Sequence, residues 1–326
     1  MEKSSRIYVA GHRGLVGSAI LRALERAGYE NLVLRTHAEL ELVDRAAVRE
    51  FCEREKPEYV FLAAARVGGI LANDKYPADF IRENLEIQTN IIDASYRSGV
   101  KRLLFLGSSC IYPKLAPQPI KEEYLLTGPL ESTNRAYALA KIAGIEMCWS
   151  YNKQYGTKYL AVMPTNLYGP YDNFDLNGSH VLPALLRKTI EAKAAGEKKI
   201  IVWGTGRPRR EFLYSDDLAD ACLHLLELPE EKYDGLLRVD EPPLLNIGSG
   251  VDLTIRELAQ LIARVVELDC ELVFDASMQD GTPQKLLDVS RMCALGWKPQ
   301  VSLEEGIRRT KSFFQSQFRS VLRESV

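Results

Sequence analysis

Residues 6–17 run RIYVAGHRGLVG, and this stretch decides the fold. An apolar run, RIYVAG (6–11), ends on the first glycine of a G-x-x-G-x-x-G spacing (11–17), and a helix-like pattern, VGSAILRALERAG (16–28), begins inside that spacing. The order is strand, tight turn, helix. Gly11 permits the turn, Gly14 lets backbone approach a pyrophosphate, and Gly17 lets the helix pack close to the sheet. N–H groups of the first helical turn would then face the phosphate charge. The stretch is expected to hold a dinucleotide, with Gly11, His12, Arg13, Gly14, Leu15, Val16 and Gly17 forming its loop.

Outward from this point the pattern repeats. NLVLRT (31–36), YVFLAAA (59–65) and RLLFLGSS (102–109) are strand-like, and 45–56 and 78–99 are helix-like between them. Continuously apolar strands separated by helices indicate a parallel sheet covered on both faces, the doubly wound α/β arrangement of a Rossmann domain. A long helix is expected over 132–156 and a strand running into a turn over 159–170. Helices over 181–196, 216–228 and 254–268, with a strand and turn over 199–206 and a strand over 244–250, complete the pattern. We expect an NADP-binding Rossmann domain over 1–170 and a smaller α/β substrate-binding domain over 171–326. Segments near 212–228 and 244–248 are candidates to return to the first.

Length and composition set the outer bounds. A chain of 326 residues, 46% hydrophobic and 26% charged, suits one large or two moderate domains. A net charge of −2 supplies no basic field for nucleic acid. Cys52, Cys110, Cys148, Cys222, Cys270 and Cys293 form no C-x-x-C pair and no zinc spacing. No metal site is expected, and the thiols are taken as reduced in a cytoplasmic protein. The N-terminal segment has no apolar core of a signal peptide, and no apolar run reaches the roughly 18 residues of a membrane span.

The second strand ends in Arg35, where a site for a bare ribose diol would carry Asp or Glu, and Arg13 sits inside the glycine loop. Two guanidinium groups suit a 2′-phosphate, so NADP is expected over NAD. Asp44 either accepts from the adenine amino group or caps the helix from 45. Further on, YALAK places Tyr137 and Lys141 one helical turn apart on one face. A nearby ammonium would lower the phenol's pKa and let it exchange a proton with a carbonyl while a nicotinamide transfers hydride. Ser108 or Ser109, at the end of the fourth strand, can donate to the same carbonyl, and Ser108 is preferred.

Together these features resemble the extended short-chain dehydrogenase/reductase family, which acts mostly on nucleotide sugars, over almost the whole chain. The acidic pair that dehydratases place after the serine is absent: Cys110 and Ile111 stand there. LGSSCIYPK, PTNLYGPYDNF, SHVLPALLRK and VWGTGRPRREFLY are similar to a branch of that family that is both a 3,5-epimerase and a 4-reductase. This resemblance implies conversion of GDP-4-keto-6-deoxy-D-mannose to GDP-L-fucose with NADPH. It implies that Cys110 and His180 serve epimerisation. It also implies cofactor contacts from Leu106, Gly107, Ser108, Ser109, Lys141, Pro164, Thr165, Asn166, Leu167 and His180. Substrate contacts would come from Lys188, Trp203, Arg210 and Asp280, and a homodimer would form through 78–99 and 132–156. Cysteine and histidine titrate at roughly 8.5 and 6.5, so either can carry the proton that inverts a carbon beside a ketone. The rival readings are a simple 4-epimerase on the same fold and a non-catalytic NADP sensor. A sensor has no need of Tyr137 and Lys141.

Overall fold

The computed structural model describes residues 1–176 and 178–324, with side chains as far as residue 317. The chain opens on β1 (Ile7–Ala10), α1 (Leu15–Arg26), β2 (Leu32–Val33), α2 (Arg45–Glu55) and β3 (Tyr59–Leu62). A short α3 (Ile70–Lys75) precedes the long α4 (Pro77–Arg97), then β4 (Arg102–Leu106), the long α5 (Arg135–Tyr155), β5 (Tyr159–Pro164) and β6 (Asn166–Tyr168). There follow α6 (Val181–Ala195), β7 (Lys199–Trp203), β8 (Arg209–Tyr214), α7 (Ser215–Glu227), α8 (Glu230–Asp234) and β9 (Leu244–Ile247). The chain continues through β10 (Asp252–Thr254), α9 (Ile255–Val266), β11 (Glu271–Asp275), β12 (Gln284–Lys285), α10 (Ser290–Ala294) and α11 (Leu303–Glu324).

Six strands form one sheet in the order β2-β1-β3-β4-β5-β9, and every pairing is parallel. Side chains alternate between its faces. Tyr8 and Ala10 join a core with Val48 and Phe51 of α2, Ile91 of α4 and Ile145 of α5. Ile7 and Val9 join the opposite core with Ile20 of α1 and Leu218 of α7. Both faces are therefore buried, which is why these strands are apolar at almost every position, with Arg102 at the start of β4 and Asn246 in β9 as departures. This is a doubly wound α/β fold. No helix of the described residues is long and apolar enough to cross a membrane.

The rest of the later chain builds a second unit. β8 lies between β10 and β12 and also pairs with β6, while β7 pairs with β11. A third core joins Leu186 of α6, Val202 of β7, Phe212 of β8, Ile262 of α9 and Ile307 of α11. β9 and α7, from beyond residue 170, lie in the large sheet and against α1. Arg22 of α1 pairs with Asp216 of α7, and Arg26 with Asp220.

Several elements differ from the sequence expectation. The second strand shrinks from 31–36 to Leu32–Val33 because Glu39 pulls Thr36 into a turn at the sheet edge, accepting from its N–H and hydroxyl at 2.8 Å. The strand and turn expected over 199–206 are both present: the strand ends at Trp203, and Gly204 and Gly206 take φ of +82° and +75° in the turn. β8 was not anticipated, since RREFLY begins with three charged residues, yet Glu211 within it is fully buried. α11 was also missed: its charged surface, with Glu304–Arg308 and Glu305–Arg309 pairs, hides a buried stripe of Ile307, Thr310 and Phe314.

Candidate active site

The glycine turn stands at the C-terminal end of β1, the side where open α/β sheets take ligands. Gly11 has φ +83°, and a Cβ there would fall 2.8 Å from Ala64 N. A Cβ on Gly17 would fall 2.1 Å from Gly11 O, so the helix can close on the turn only without one. Gly14 is different: no protein atom lies closer to its Cβ position than 3.6 Å, and it heads α1 without a side-chain cap. Its bareness leaves room in front of the helix end, where Leu15 and Val16 form the first turn. A cavity opens there, walled by Gly11, His12, Arg13, Gly14, Arg35, Thr36, His37 and Ala38. His12 Nδ1 is buried there without a partner. Burial, then Arg13, pushes the His12 imidazolium down, so the ring is held neutral.

Arg13 is exposed, whereas Arg35 is fixed against the wall. The Arg35 guanidinium pairs with Glu55 at 2.6 Å, donates to Leu34 O at 2.7 Å and lies 5.4 Å from the Phe51 ring centre. Of the two roles open to Asp44, capping is the one seen: Oδ1 accepts from the N–H groups of Ala46 and Ala47 at 2.9 and 3.0 Å. A bare cradle, an unpartnered ring nitrogen and two guanidinium groups fit the phosphate end of a dinucleotide.

The second strip of this crevice runs along the ends of β4 and β5. Leu106 closes β4 and Gly107 follows it; a Cβ on Gly107 would lie 2.2 Å from Met163 Cε, so the methionine would have to shift. Ser109 is buried in the turn that follows. Pro164 ends β5, Thr165 Oγ1 donates to Glu211 O at 3.1 Å, and Asn166 Nδ2 donates to the same oxygen at 2.8 Å, with Leu167 next in β6.

Tyr137 and Lys141 do lie one turn apart on α5, but their electrostatics reverse the expectation. Lys141 is buried, its Nζ donates to Leu106 O at 2.7 Å, and it stands 5.8 Å from the Tyr137 ring centre. Burial pushes the Lys141 ammonium down to about 7. The Tyr137 phenol is pushed well up, chiefly by burial and next by the charge of Cys110, and hydrogen bonding with Ser108 opposes this. The ammonium therefore does not lower the phenol here. The desolvation that surrounds the pair acts on both groups and favours their neutral forms. Phe80 meets the Tyr137 ring edge-on at 6.4 Å.

Ser108 Oγ accepts from Cys110 N–H at 3.2 Å and so sets the turn that carries the thiol. Facing that thiol is a residue the sequence reasoning missed. Lys285 Nζ donates to Cys110 Sγ at 3.5 Å, across a separation of 175 residues. The segment DGTPQK, chosen for Asp280, ends in this lysine, but only the pairing of β12 with β8 reveals its direction. Lys285 sits in register with Arg210, so both side chains leave the same face of that sheet, and Arg210 reaches the charge of Cys110 as well. His180 heads α6 without capping it. Its ring is solvent-accessible but walled by the cleft; this desolvation, then Lys285, pushes the imidazolium down.

The remaining predicted residues line one side of the second unit. Lys188 Nζ lies 4.7 Å over the Trp203 ring and donates to Ile201 O at 3.4 Å. Arg210 Nη1 donates to Arg209 O at 2.8 Å and Nη2 to Asp280 O at 3.5 Å. The Asp280 carboxylate is already engaged: Oδ1 accepts from Thr205 N–H at 2.7 Å and Oδ2 from the Thr205 hydroxyl at 2.8 Å. It braces the turn after Trp203, while Arg210 donates to the backbone oxygen of Asp280.

A profile of the NAD-dependent epimerase/dehydratase family matches residues 7–248. The chain belongs to this family. Within it, the chain is 57% identical to GDP-L-fucose synthase 1 of Arabidopsis thaliana, over 96% of this chain and 94% of that one. It is 56% identical to GDP-L-fucose synthase of Escherichia coli, over 96% and 98%. Among solved structures, a GDP-D-glycero-L-gluco-heptose synthase from Campylobacter jejuni, in the presence of NADPH, superposes with a TM-score of 0.89 at 40% identity, covering 97% of this chain and 99% of that one. The matched range 7–248 contains the glycine turn, the Tyr137–Lys141 pair and Cys110, while Lys285 lies beyond it.

Proposed function

We propose that this chain is a GDP-L-fucose synthase, which epimerises GDP-4-keto-6-deoxy-D-mannose at C3 and C5 and reduces it at C4 with NADPH. One observation carries the reading beyond the shared fold: a thiol and an ammonium 3.5 Å apart stand beside the Tyr137–Ser108 pair, with His180 in the same cleft. A simple 4-epimerase has no use for a second proton-transfer pair.

A 4-ketone acidifies the C–H bonds at C3 and C5. Inverting either carbon takes a proton from one face and returns one to the other. Cys110 and His180 are the two carriers, and Lys285 donates to the Cys110 sulfur. The His180 ring, kept neutral by its surroundings, can accept a proton at neutral pH. Tyr137 and Ser108 donate to the enolate oxygen while the carbon is planar. The Tyr137 proton passes to O4 when C4 is reduced. NADPH, when bound, supplies the hydride. Gly11, Gly14 and Gly17 would seat its pyrophosphate, Arg13 and Arg35 its 2′-phosphate, and Lys141 would orient the nicotinamide end. Arg210 and Lys188 would take the substrate diphosphate, with Trp203 beside them and Asp280 fixing their turn.

The same reading makes the protein a homodimer through α4 and α5. Leu139 and Tyr155 remain 39% and 45% exposed on α5, and Tyr155 stacks on Tyr96 of α4 at 4.2 Å. Its six free thiols suit a reducing compartment, the cytoplasm. Incubation with GDP-4-keto-6-deoxy-D-mannose and NADPH, followed by NMR of the product, tests the function. GDP-L-fucose is expected. GDP-rhamnose alone, or no oxidation of NADPH, would rule it out.

A further inference from the structure

We infer that Gln118 is a positioning residue that sets Lys285 against Cys110; this rests on the reading of that pair as part of the epimerisation site. Gln118 lies in the loop that leaves the Cys110 turn. Its Oε1 accepts from Leu286 N–H at 2.8 Å, and its Nε2 donates to Gln284 O at 3.3 Å and to Ala116 O at 3.2 Å. One side-chain amide thus grips the backbone on either side of Lys285. The loop then continues along the same chain: Ile120 N–H donates to Leu286 O at 2.7 Å, and Asp288 N–H donates to Ile120 O at 2.8 Å.

The need for such a grip follows from β12 itself. This strand is two residues long and pairs with β8 on one side. Glu211 adds one further tie on that side, accepting from Leu287 N–H at 2.9 Å. On the side facing the Cys110 loop, at the level of Lys285, the partner groups come from Gln118. A carboxamide offers a C=O and an N–H together, as a peptide group does, so it can stand in for a strand residue. Lys285 is a flexible stem on that backbone. A shift of its Cα by about 1 Å is enough to part the ammonium from the sulfur, and misplacement on that scale slows reactions at a site steeply.

The test compares Gln118→Leu, Lys285→Met and the double variant. The first readout is the rate at which iodoacetamide alkylates Cys110, located by peptide mass spectrometry, without substrate. The second is deuterium entry at C3 and C5 from heavy water, with KM for NADPH and for the GDP sugar measured alongside. A neighbouring ammonium makes a thiol more reactive, so each single variant should slow alkylation by about 5- to 10-fold. Deuterium entry should fall by a similar factor with both KM values unchanged. The double variant should match Lys285→Met alone, because both changes remove one contact. Alkylation at the wild-type rate in Gln118→Leu, or effects that multiply in the double variant, would overturn the inference. If Gln118→Leu does not fold, Gln118→Met is measured under the same criteria. Alkylation needs no sugar. A wild type that makes no GDP-L-fucose while Gln118→Leu still slows alkylation would refute the function and support the clamp.

Discussion

The two flanks of the cleft are assembled in different ways. On the reducing flank, Tyr137 and Lys141 leave one face of α5, and Ser108 ends β4. Burial dominates there: Lys141 is 2% exposed, and the same desolvation that lowers its ammonium raises the phenol. On the epimerising flank, Cys110, His180, Arg210 and Lys285 come from four separate segments, and pairing between distant strands brings the Lys285 ammonium to the Cys110 thiol. Desolvation leads there too, lowering the His180 imidazolium before Lys285 adds to the effect. One flank is set by a single helix turn, the other by contacts between distant segments.

The comparison breaks most readily at Tyr137. Tyr137→Phe removes the proton destined for O4, so NADPH oxidation should fall by roughly 10²–10⁴. The thiol, imidazole and ammonium stay in place and Ser108 still donates to the enolate oxygen, so deuterium exchange at C3 and C5 should fall through the loss of one of two donors, and by less than reduction does. Equal loss of both reactions would mean that the flanks are one machine. Oxidation at a near-normal rate would remove Tyr137 from its assigned role.

Cys110→Ser probes the other flank with the next largest effect. The hydroxyl keeps the size but scarcely ionises near neutral pH. Deuterium exchange should slow by about 10² while reduction continues. NMR should then show a 4-reduced, incompletely epimerised product such as GDP-rhamnose. His180→Gln should impair the same exchange. Wild-type exchange in Cys110→Ser, with GDP-L-fucose as sole product, would make the thiol a packing residue.

The same division explains what could be read from the chain. The glycine turn, the parallel sheet, and the Tyr137–Lys141 pair are local patterns in which spacing fixes geometry. Cys110 and His180 were reached through resemblance, and Lys285 not at all, because its meeting with Cys110 depends on register between β12 and β8. Glu211 was hidden likewise: its carboxylate accepts from Gly250 and Leu287 N–H groups contributed by other segments. Even on the legible flank spacing gave position but not charge. A helix turn predicts that an ammonium nears a phenol; it says nothing of how dry the place is.

The cofactor cavity sharpens the contrast from outside both flanks. Arg13 is exposed, while Arg35 is tied to Glu55 at 2.6 Å. Arg13→Ala should therefore weaken NADPH more than Arg35→Ala does, and the double variant should lose the preference over NADH, a change of about 10- to 100-fold. Titration of each variant with both cofactors decides this. Equal affinity of the wild type for NADPH and NADH would remove both arginines from the 2′-phosphate.

The smallest effect is the most direct measure of burial on the reducing flank. In an unfolded chain a lysine gives up its proton near about 10.4, and in the fold Lys141 does so at about 7. Between those values the unfolded chain holds more protons, so stability rises with pH across the window. The cost of burying the ammonium is complete below about pH 7 and has gone above about pH 10.4. Lys141→Met fills nearly the same space without charge and gives up one bond, the 2.7 Å contact with Leu106 O. The unliganded variant should therefore be more stable than wild type by about 1–3 kcal/mol near neutral pH, although its NADPH oxidation is lost. The gain should shrink as pH rises and vanish or reverse near about pH 10, where wild-type Lys141 is neutral in both states. Calorimetry of the two proteins across that range is the test. A variant less stable than wild type at about pH 6 would show that the bond to Leu106 outweighs the desolvation of the ammonium.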